Sequence, residues 1–345
     1  MSDLPPDPRS IHVPAAMSAD AQVDPPPLPT PTPARRRRWP WVLTAGALLV
    51  GLPLAIFAFV AARAWGDVER VDLEGTMQGA RTGANYLIVG TDSRSGIEAG
   101  VENADVIFGA DVAGERTDTI AVLRVDGGAV SLLAIPRDLY VPLAGGAPNR
   151  INAAFAFGGP VDLIDTVQRE LGIGIDHYLE IDLAGFLGLV DALGGVTIDF
   201  AHPAYDDRSG LAIESAGPQR LDGADALAFV RSRRYTEVID GVAVTDPTSD
   251  LGRVQRQQRF LAAVMAELGA TRNPFTLLDA LRAVAGNVAV DNGMGLFDAA
   301  SLGLTLRGAE PVTATVPTAR HITAAGADVL VLTAESEAVL GEFRG

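Results

Sequence analysis

All 27 cationic side chains of the chain are arginine, and six of them fall between Arg231 and Arg259 in a protein whose formal net charge is −16. A generally basic surface cannot explain that density, so the cluster calls for an anionic partner. Arg231 and Arg233 close the segment LDGADALAFVRSR, Leu221 to Arg233. In an extended segment a spacing of two points both guanidinium groups the same way, so they could grip one ligand. Asp250 to Leu268 has helical spacing, with Leu251, Val254, Leu261, Met265 and Leu268 as an apolar stripe. Arg253 and Gln257 stand at i and i+4 on a different face of that helix, with Arg256 beside them. Planar forks with several donors suit phosphate oxygens better than an ammonium point charge does. The absence of lysine weakens any argument from arginine identity alone. The plainer alternative is a solvated arginine face with local carboxylate partners. Two arginine sets of different geometry, flanking one loop, favour a shared anion.

Carboxylates stand where strands begin or end. Asp92 follows the apolar run NYLIVG, Asn85 to Gly90, and Asp118 precedes the next run, with Arg116 just before it. If the two strands are antiparallel neighbours, these carboxylates share one edge and repel unless a cation or proton lies between them. Mg2+, or another divalent cation, is the natural candidate, because it takes one or two protein carboxylates and completes its shell with water and substrate phosphate oxygens. A turn-capping aspartate is the commoner explanation of either residue taken alone. Arg137 and Asp138 follow a third strand at Pro136, which ends the ladder and throws the pair into a loop; a local ion pair is the alternative. Asn152 is a helix cap or a ligand contact, and the sequence leaves both open.

These residues need elements to hold them. Thr119 to Asp126 and Ala129 to Ile135 read as strands joined at the Asp126-Gly127-Gly128 turn. His177 to Ile181, Val196 to Phe200 and Val312 to Val316 are further strands. Val161 to Leu171, Leu183 to Leu193, Pro274 to Val284, Leu296 to Leu306 and Ser336 to Phe343 read as helices. Strands alternating with helices give the expected fold: an α/β domain with one mixed central sheet flanked by helices on both faces, an α-β-α arrangement. Ser95 to Glu115, glycine-rich and acidic, is expected as a surface excursion, and Val68 to Thr82 as a tether.

The first 38 residues, rich in proline and alanine, cannot bury a core and are expected as a disordered cytoplasmic tail. Arg35 to Arg38 lead into 24 uncharged residues, Trp39 to Ala62, closed by Arg63. At about 1.5 Å per residue this run spans a bilayer core. Trp39, Trp41 and Trp65 bracket it, and the arginine block marks the cytoplasmic side. A cleaved signal peptide, with Ala62-Arg63-Ala64 as a small-x-small site, is the alternative; the long n-region and long apolar run favour an uncleaved single-pass anchor in the cell membrane. The expected organisation is therefore a tail over 1–38, a membrane helix over 39–62, a tether over 63–83 and an extracytoplasmic catalytic domain over 84–345.

Beyond residue 63 there are 21 arginines against 39 acidic residues, a net charge of −18, so nucleic acid is excluded as a partner of that part. Without cysteine there is no disulfide framework and no thiolate site, and His12, His177, His202 and His321 have no ligand-like spacing for zinc. No GxxxxGK[ST] loop, GxSxG elbow or HExxH is present. The remaining inventory of guanidinium groups, two carboxylates and a divalent ion serves to position and neutralise phosphates during transfer.

The ordered motifs GTDSR, RTDT, IPRD, RINAAF, GIDHYLEID, LVDALGGV, LDGADALAFVRSR and DPTSDLGRVQRQQ resemble the LytR-CpsA-Psr family of cell-wall glycopolymer ligases over Ala84 to Leu268, and the DPTSDLGR block is similar to actinobacterial members. The resemblance implies a phosphotransferase that moves a glycopolymer from a polyprenyl-pyrophosphate carrier at the membrane onto peptidoglycan and releases polyprenyl phosphate. It implies magnesium at Asp92 and Asp118, and pyrophosphate binding by Arg137, Arg231, Arg233, Arg253 and Gln257, with Arg116 and Arg256 close by. It also implies an apolar pocket for the lipid tail. Arg137, Asp138, Arg231 and Arg233 are the expected catalytic set, with the proton acceptor open between Asp118 and Asp138. Ala134 departs from the serine the family often carries before IPRD. Two other readings remain: a hydrolase of lipid pyrophosphates, and a non-catalytic wall-polymer binder or regulator.

Overall fold

The computed structural model describes residues 55–91, 117–248, 250–307, 309 and 311–345, and their side chains except at 118, 250 and 251. Its centre is a seven-stranded sheet in the order β1 (Glu69–Val71), β14 (Val288–Asp291), β7 (His177–Ile181), β2 (Ala84–Thr91), β3 (Thr117–Asp126), β4 (Ala129–Ala134) and β15 (Val312–Thr315). The sheet is mixed: β2 runs antiparallel to β3 and parallel to β7, and β15 runs parallel to β4. The β3–β4 hairpin turns at Gly127 and Gly128, both at positive φ, which only glycine adopts without strain.

Alternation along the strands sorts side chains onto two faces. Leu87, Val89, Ile120, Val122, Leu133 and Tyr178 join one core cluster; Tyr86, Ala121, Leu123, Val130 and Leu132 join another. Helices cover both. The first α-helix spans residues 55–66 (α1). Asn152–Thr166 (α2) packs on the first face and breaks at Gly158 and Gly159, where Pro160 starts a second segment. Leu183–Ala192 (α3), Gly223–Arg231 (α4), Asp250–Ala270 (α5), Pro274–Val284 (α6) and Leu296–Leu306 (α7) follow, and Ser336–Arg344 (α8) joins α2 on the first face through Leu340 and Phe343. Met265 of α5 and Leu306 of α7 are buried on the second face, with Leu281 of α6 packed beside them.

The expected single sheet is not the whole of it. A four-stranded sheet orders β10 (Leu211–Ile213), β9 (Ala204–Asp206), β12 (Thr236–Ile239) and β13 (Val242–Thr245). β8 (Val196–Phe200) leaves the central sheet and pairs with β11 (Gly217–Leu221). Two further ribbons pair β16 (Thr318–Ile322) with β17 (Asp328–Leu332), and β5 (Tyr140–Pro142) with β6 (Pro148–Arg150). The α3, α4 and α5 helices pack with β8 to β11 in a third core cluster built on Phe200, Phe229 and Phe260.

The stretch expected as a tether is part of the domain: β1 pairs with β14, and Leu73 is 1% exposed. Most of the expected membrane helix lies outside the described residues. Among the described residues no helix is long and apolar enough to cross a membrane.

Candidate functional site

A cavity of about 500 Å³ opens on the second face, at the carboxyl ends of the parallel neighbours β2 and β7. Gly90 and Thr91 of β2, Thr119 of β3 and Ile181 of β7 form its sheet side. Crevices at the carboxyl ends of strands are where open α/β sheets hold ligands. At Gly90 the backbone itself is the wall, since a Cβ there would stand 3.2 Å from the Thr119 Cβ.

The opposite walls are helical. Asp182 caps α3 by accepting from the Gly185 N–H at 2.8 Å, and the helix turns Leu183, Phe186, Leu189 and Val190 toward the cavity. Burial pushes the Asp182 carboxyl above its ordinary value, against the N–H groups of Gly185 and Ala184. Leu227 and Val230 of α4 and Phe260, Leu261 and Val264 of α5 complete an apolar interior, with the Phe186 and Phe260 rings 4.8 Å apart. The other lining is cationic: Arg208, Arg231, Arg233, Arg234 and Arg253, with Gln257, against the acids Asp182 and Asp206. One chamber thus joins an oily interior to a guanidinium-rich rim.

Arg253 and Gln257 occupy one face of α5, as the i, i+4 spacing requires, and both line the cavity. Arg231 and Arg233 also meet there, although not on an extended segment: Arg231 is the last residue of α4, and the chain turns at Ser232. Their common direction does not come from strand alternation, because α4 runs to Arg231 itself. Arg137 lines a narrow recess with Thr119, Gln257 and Leu261, three residues shared with the cavity. Asp138 lies behind it, 3.5 Å from Arg137 Nε and 3.2 Å from Arg150 Nε, and is not among the lining residues. Asn152 is the first residue of α2 rather than its cap, and its N–H donates to the Arg137 carbonyl at 3.2 Å.

Arg256 is not among the lining residues either. It is 4% exposed, donates to Asp246 Oδ2 at 3.0 Å and to the Ser232 carbonyl at 2.7 Å, and lies 4.8 Å above the Tyr235 ring. It braces the turn that carries Arg231 and Arg233. Burial alone would raise the Asp246 carboxyl, but Thr248 and Arg256 outweigh it and hold it below the usual range. Gly252 lets this loop lie against α5, since a Cβ there would overlap the Asp246 carboxylate.

Asp92 and Arg116 lie outside the described residues, and of Asp118 only the backbone is described. The strand pairing around them has the arrangement the carboxylate argument needs: β2 and β3 are antiparallel, Gly90 faces Thr119, Thr91 faces Thr117, and Asp118 is the extra residue of a bulge between them. The hydroxyls of Thr91 and Thr117 beside it are buried and, among the described residues, without a hydrogen-bond partner. Sequence reasoning passed over Arg208, Ser209, Arg234 and Asp206. The segment Asp206-Asp207-Arg208-Ser209-Gly210 has the composition of an ordinary solvated turn, and only its tertiary position brings it to the cavity.

Comparison with known proteins gives the same picture. The model of the LytR_cpsA_psr family matches residues 62–340. The chain is 40% identical over 283 residues to the probable cell wall biosynthesis protein LcpB of Corynebacterium glutamicum, covering 80% of this chain and 64% of that protein. It is 34% identical over 208 residues to the polyisoprenyl-teichoic acid–peptidoglycan teichoic acid transferase TagU of Halalkalibacterium halodurans, covering 57% of this chain and 58% of that one. The chain thus spans somewhat less than two thirds of the length of these relatives. Among solved structures it is similar to a LytR-Csp2A-Psr enzyme from Actinomyces oris, with a TM-score of 0.64 and 30% identity over 80% of this chain and 95% of that one. With more than half its length matched by the family model, and a mixed sheet ending in one amphipathic cavity, the chain belongs to the LytR-CpsA-Psr family.

Proposed function

We propose that the chain is a phosphotransferase that moves a glycopolymer from a polyprenyl-pyrophosphate carrier onto peptidoglycan and releases polyprenyl phosphate. The observation that carries this reading is the cavity, apolar inside and arginine-rich at the rim, which matches a molecule with a hydrocarbon tail and a diphosphate head. The names of LcpB and TagU, one a probable cell wall biosynthesis protein and the other a teichoic acid transferase, support it.

In this reading Phe186, Leu189, Phe260 and Val264 take the lipid, while Arg231, Arg233, Arg253 and Gln257 take the diphosphate, with Arg137 at its edge. Phosphoryl transfer gives a protein little covalent work, so fixing and neutralising the phosphates is most of the catalysis. A hydroxyl of peptidoglycan attacks the sugar-linked phosphorus in line as the bond to the polyprenyl phosphate breaks. Asp138, held between two guanidinium groups, positions Arg137, and the hydroxyl proton passes to Asp118 or Asp138. The unpartnered buried hydroxyls of Thr91 and Thr117, at the end of β2 and the start of β3, suit a hard divalent cation such as Mg2+, which Asp92 and Asp118 would hold. When bound, such an ion supplies charge neutralisation for the phosphate oxygens. The run over 39–62 would anchor the domain on the outer side of the cell membrane.

The test is transfer of a polyprenyl-pyrophosphate-linked oligosaccharide to peptidoglycan by the full chain, with products separated by chromatography. Wild type should yield wall-linked glycan and polyprenyl phosphate. Replacing both Arg231 and Arg233 by alanine should cut transfer by about 1,000-fold, with thermal melting unchanged. Undiminished attachment by the double variant would reject the site, and free glycan phosphate without wall linkage would favour a hydrolase.

A further inference from the structure

The arginine rim is held by a carboxylate that itself faces the cavity. Asp206, at the end of β9, is 2% exposed, yet it lines the same chamber as the arginines. Its Oδ2 accepts from the Ser232 hydroxyl at 2.7 Å, from the Arg233 N–H at 3.0 Å and from the Arg234 N–H at 2.7 Å. Its Oδ1 accepts from the Arg208 N–H at 2.9 Å. One side chain therefore fixes the backbone of three cavity-lining arginines that arrive from two separate segments, the β9–β10 turn and the end of α4. Arg256 closes the arrangement from the other side through the Ser232 carbonyl.

We propose that Asp206 is a positioning residue, which sets the register of Arg208, Arg233 and Arg234 so that their guanidinium groups converge on the ligand's phosphates. A buried acid facing an anion site is otherwise a liability, because its charge repels the ligand. Burial alone would raise its carboxyl, but the Ser232 hydroxyl and the N–H groups of Arg234, Arg208 and Ser209 outweigh that and hold it below its ordinary value. The negative charge is spent on backbone N–H groups, and the side chains those N–H groups belong to carry more positive charge than the acid removes. An asparagine in its place has one carbonyl oxygen and cannot serve both the Arg208 turn and the Ser232–Arg234 turn.

This inference rests on the pyrophosphate reading above and has a sign that separates it from plain electrostatics. Binding of geranyl pyrophosphate to the full-length chain in detergent with magnesium is measured by calorimetry for wild type, Asp206→Asn, Ser232→Ala and Arg233→Ala. Positioning makes Asp206→Asn about ten-fold weaker, although the variant removes a negative charge from an anion site. Simple charge repulsion makes the same variant bind tighter, and that result, or unchanged affinity with a lowered melting temperature, overturns the proposal. Ser232→Ala, which removes one donor and leaves the carboxylate charged, should weaken binding by about three-fold. It decides the matter if Asp206→Asn does not fold, and unchanged affinity there counts against positioning. Should Arg233→Ala also leave affinity intact, the failure belongs to the pyrophosphate reading; if Arg233→Ala weakens binding while Asp206→Asn does not, positioning alone fails.

Discussion

The two faces of β2 carry neighbouring residues to opposite ends. Leu87 and Val89 point into a closed core with Leu133, Leu163 and Phe343, and both are completely buried. Ile88 and Gly90, one residue away on the other face, border a cavity of about 500 Å³. On the first face α2 and α8 lie directly on the sheet. On the second, α3 and α4 pack with β8 to β11 in a separate core, and α5 divides its apolar residues between that core and the sheet. Where a helix is held by a second core, its apolar residues need not close against the sheet, and an apolar surface is left open to the cavity.

That contrast can be broken by paired substitutions. Leu133→Ala, on the closed face, should cost about 3 kcal/mol of stability in chemical denaturation, since the void cannot collapse. It should leave geranyl pyrophosphate affinity unchanged. Phe186→Ala, at the cavity wall, removes a side chain that already borders open space and should cost about 1 kcal/mol. Its affinity for the same probe should fall roughly ten-fold through lost apolar contact. Equal stability losses in the two variants would mean that the faces do not differ.

A smaller effect distinguishes the amino end of β7 from the cavity at its carboxyl end. His177 Nδ1 lies 3.2 Å from Asp291 Oδ2, and its ring stacks on Tyr86 at 5.1 Å. The hydrogen bond to Asp291 lifts His177 above its ordinary 6.5 in spite of burial. Asp291 would be raised by burial, but His177 and the Tyr178 N–H bring it below its ordinary 3.8. The histidine contribution is fully present below pH 6.5 and is lost as pH rises through the higher folded value. The aspartate contribution is present above 3.8 and is lost as pH falls through the lower folded value. The melting temperature should therefore decline as pH rises above 6.5, and His177→Gln should flatten that decline. The double alanine variant of Arg231 and Arg233 should keep it, because guanidinium groups do not titrate in this range. An unchanged slope in His177→Gln would remove the pair as its source.

Long periodic segments and turn glycines were legible from the sequence. The stripe from Val254 to Leu268 and the Gly127-Gly128 turn each announced their element, and the i, i+4 spacing of Arg253 and Gln257 placed both on one wall. What the sequence hid was short or tertiary. Strands of three residues such as β1 and β9 carry too few side chains to show a period. The two-residue spacing of Arg231 and Arg233 suits an extended segment but looks the same in any short one; Asp222, which caps α4 by accepting from the Asp225 N–H at 2.9 Å, is the signal that a helix runs through to Arg231. Asp206 gives no sign of its role beyond its own turn, since Ser232, Arg233 and Arg234 lie 26 to 28 residues away.

The most direct measurement is a crystal structure of the domain soaked with a short polyprenyl pyrophosphate and magnesium. The account requires density for the diphosphate among Arg231, Arg233, Arg253 and Gln257, the tail between α3 and α5 against Phe186 and Val264, and a metal peak at the end of β2 and β3. A lipid bound on the face of α2 and α8, or a diphosphate held away from those arginines, would contradict it.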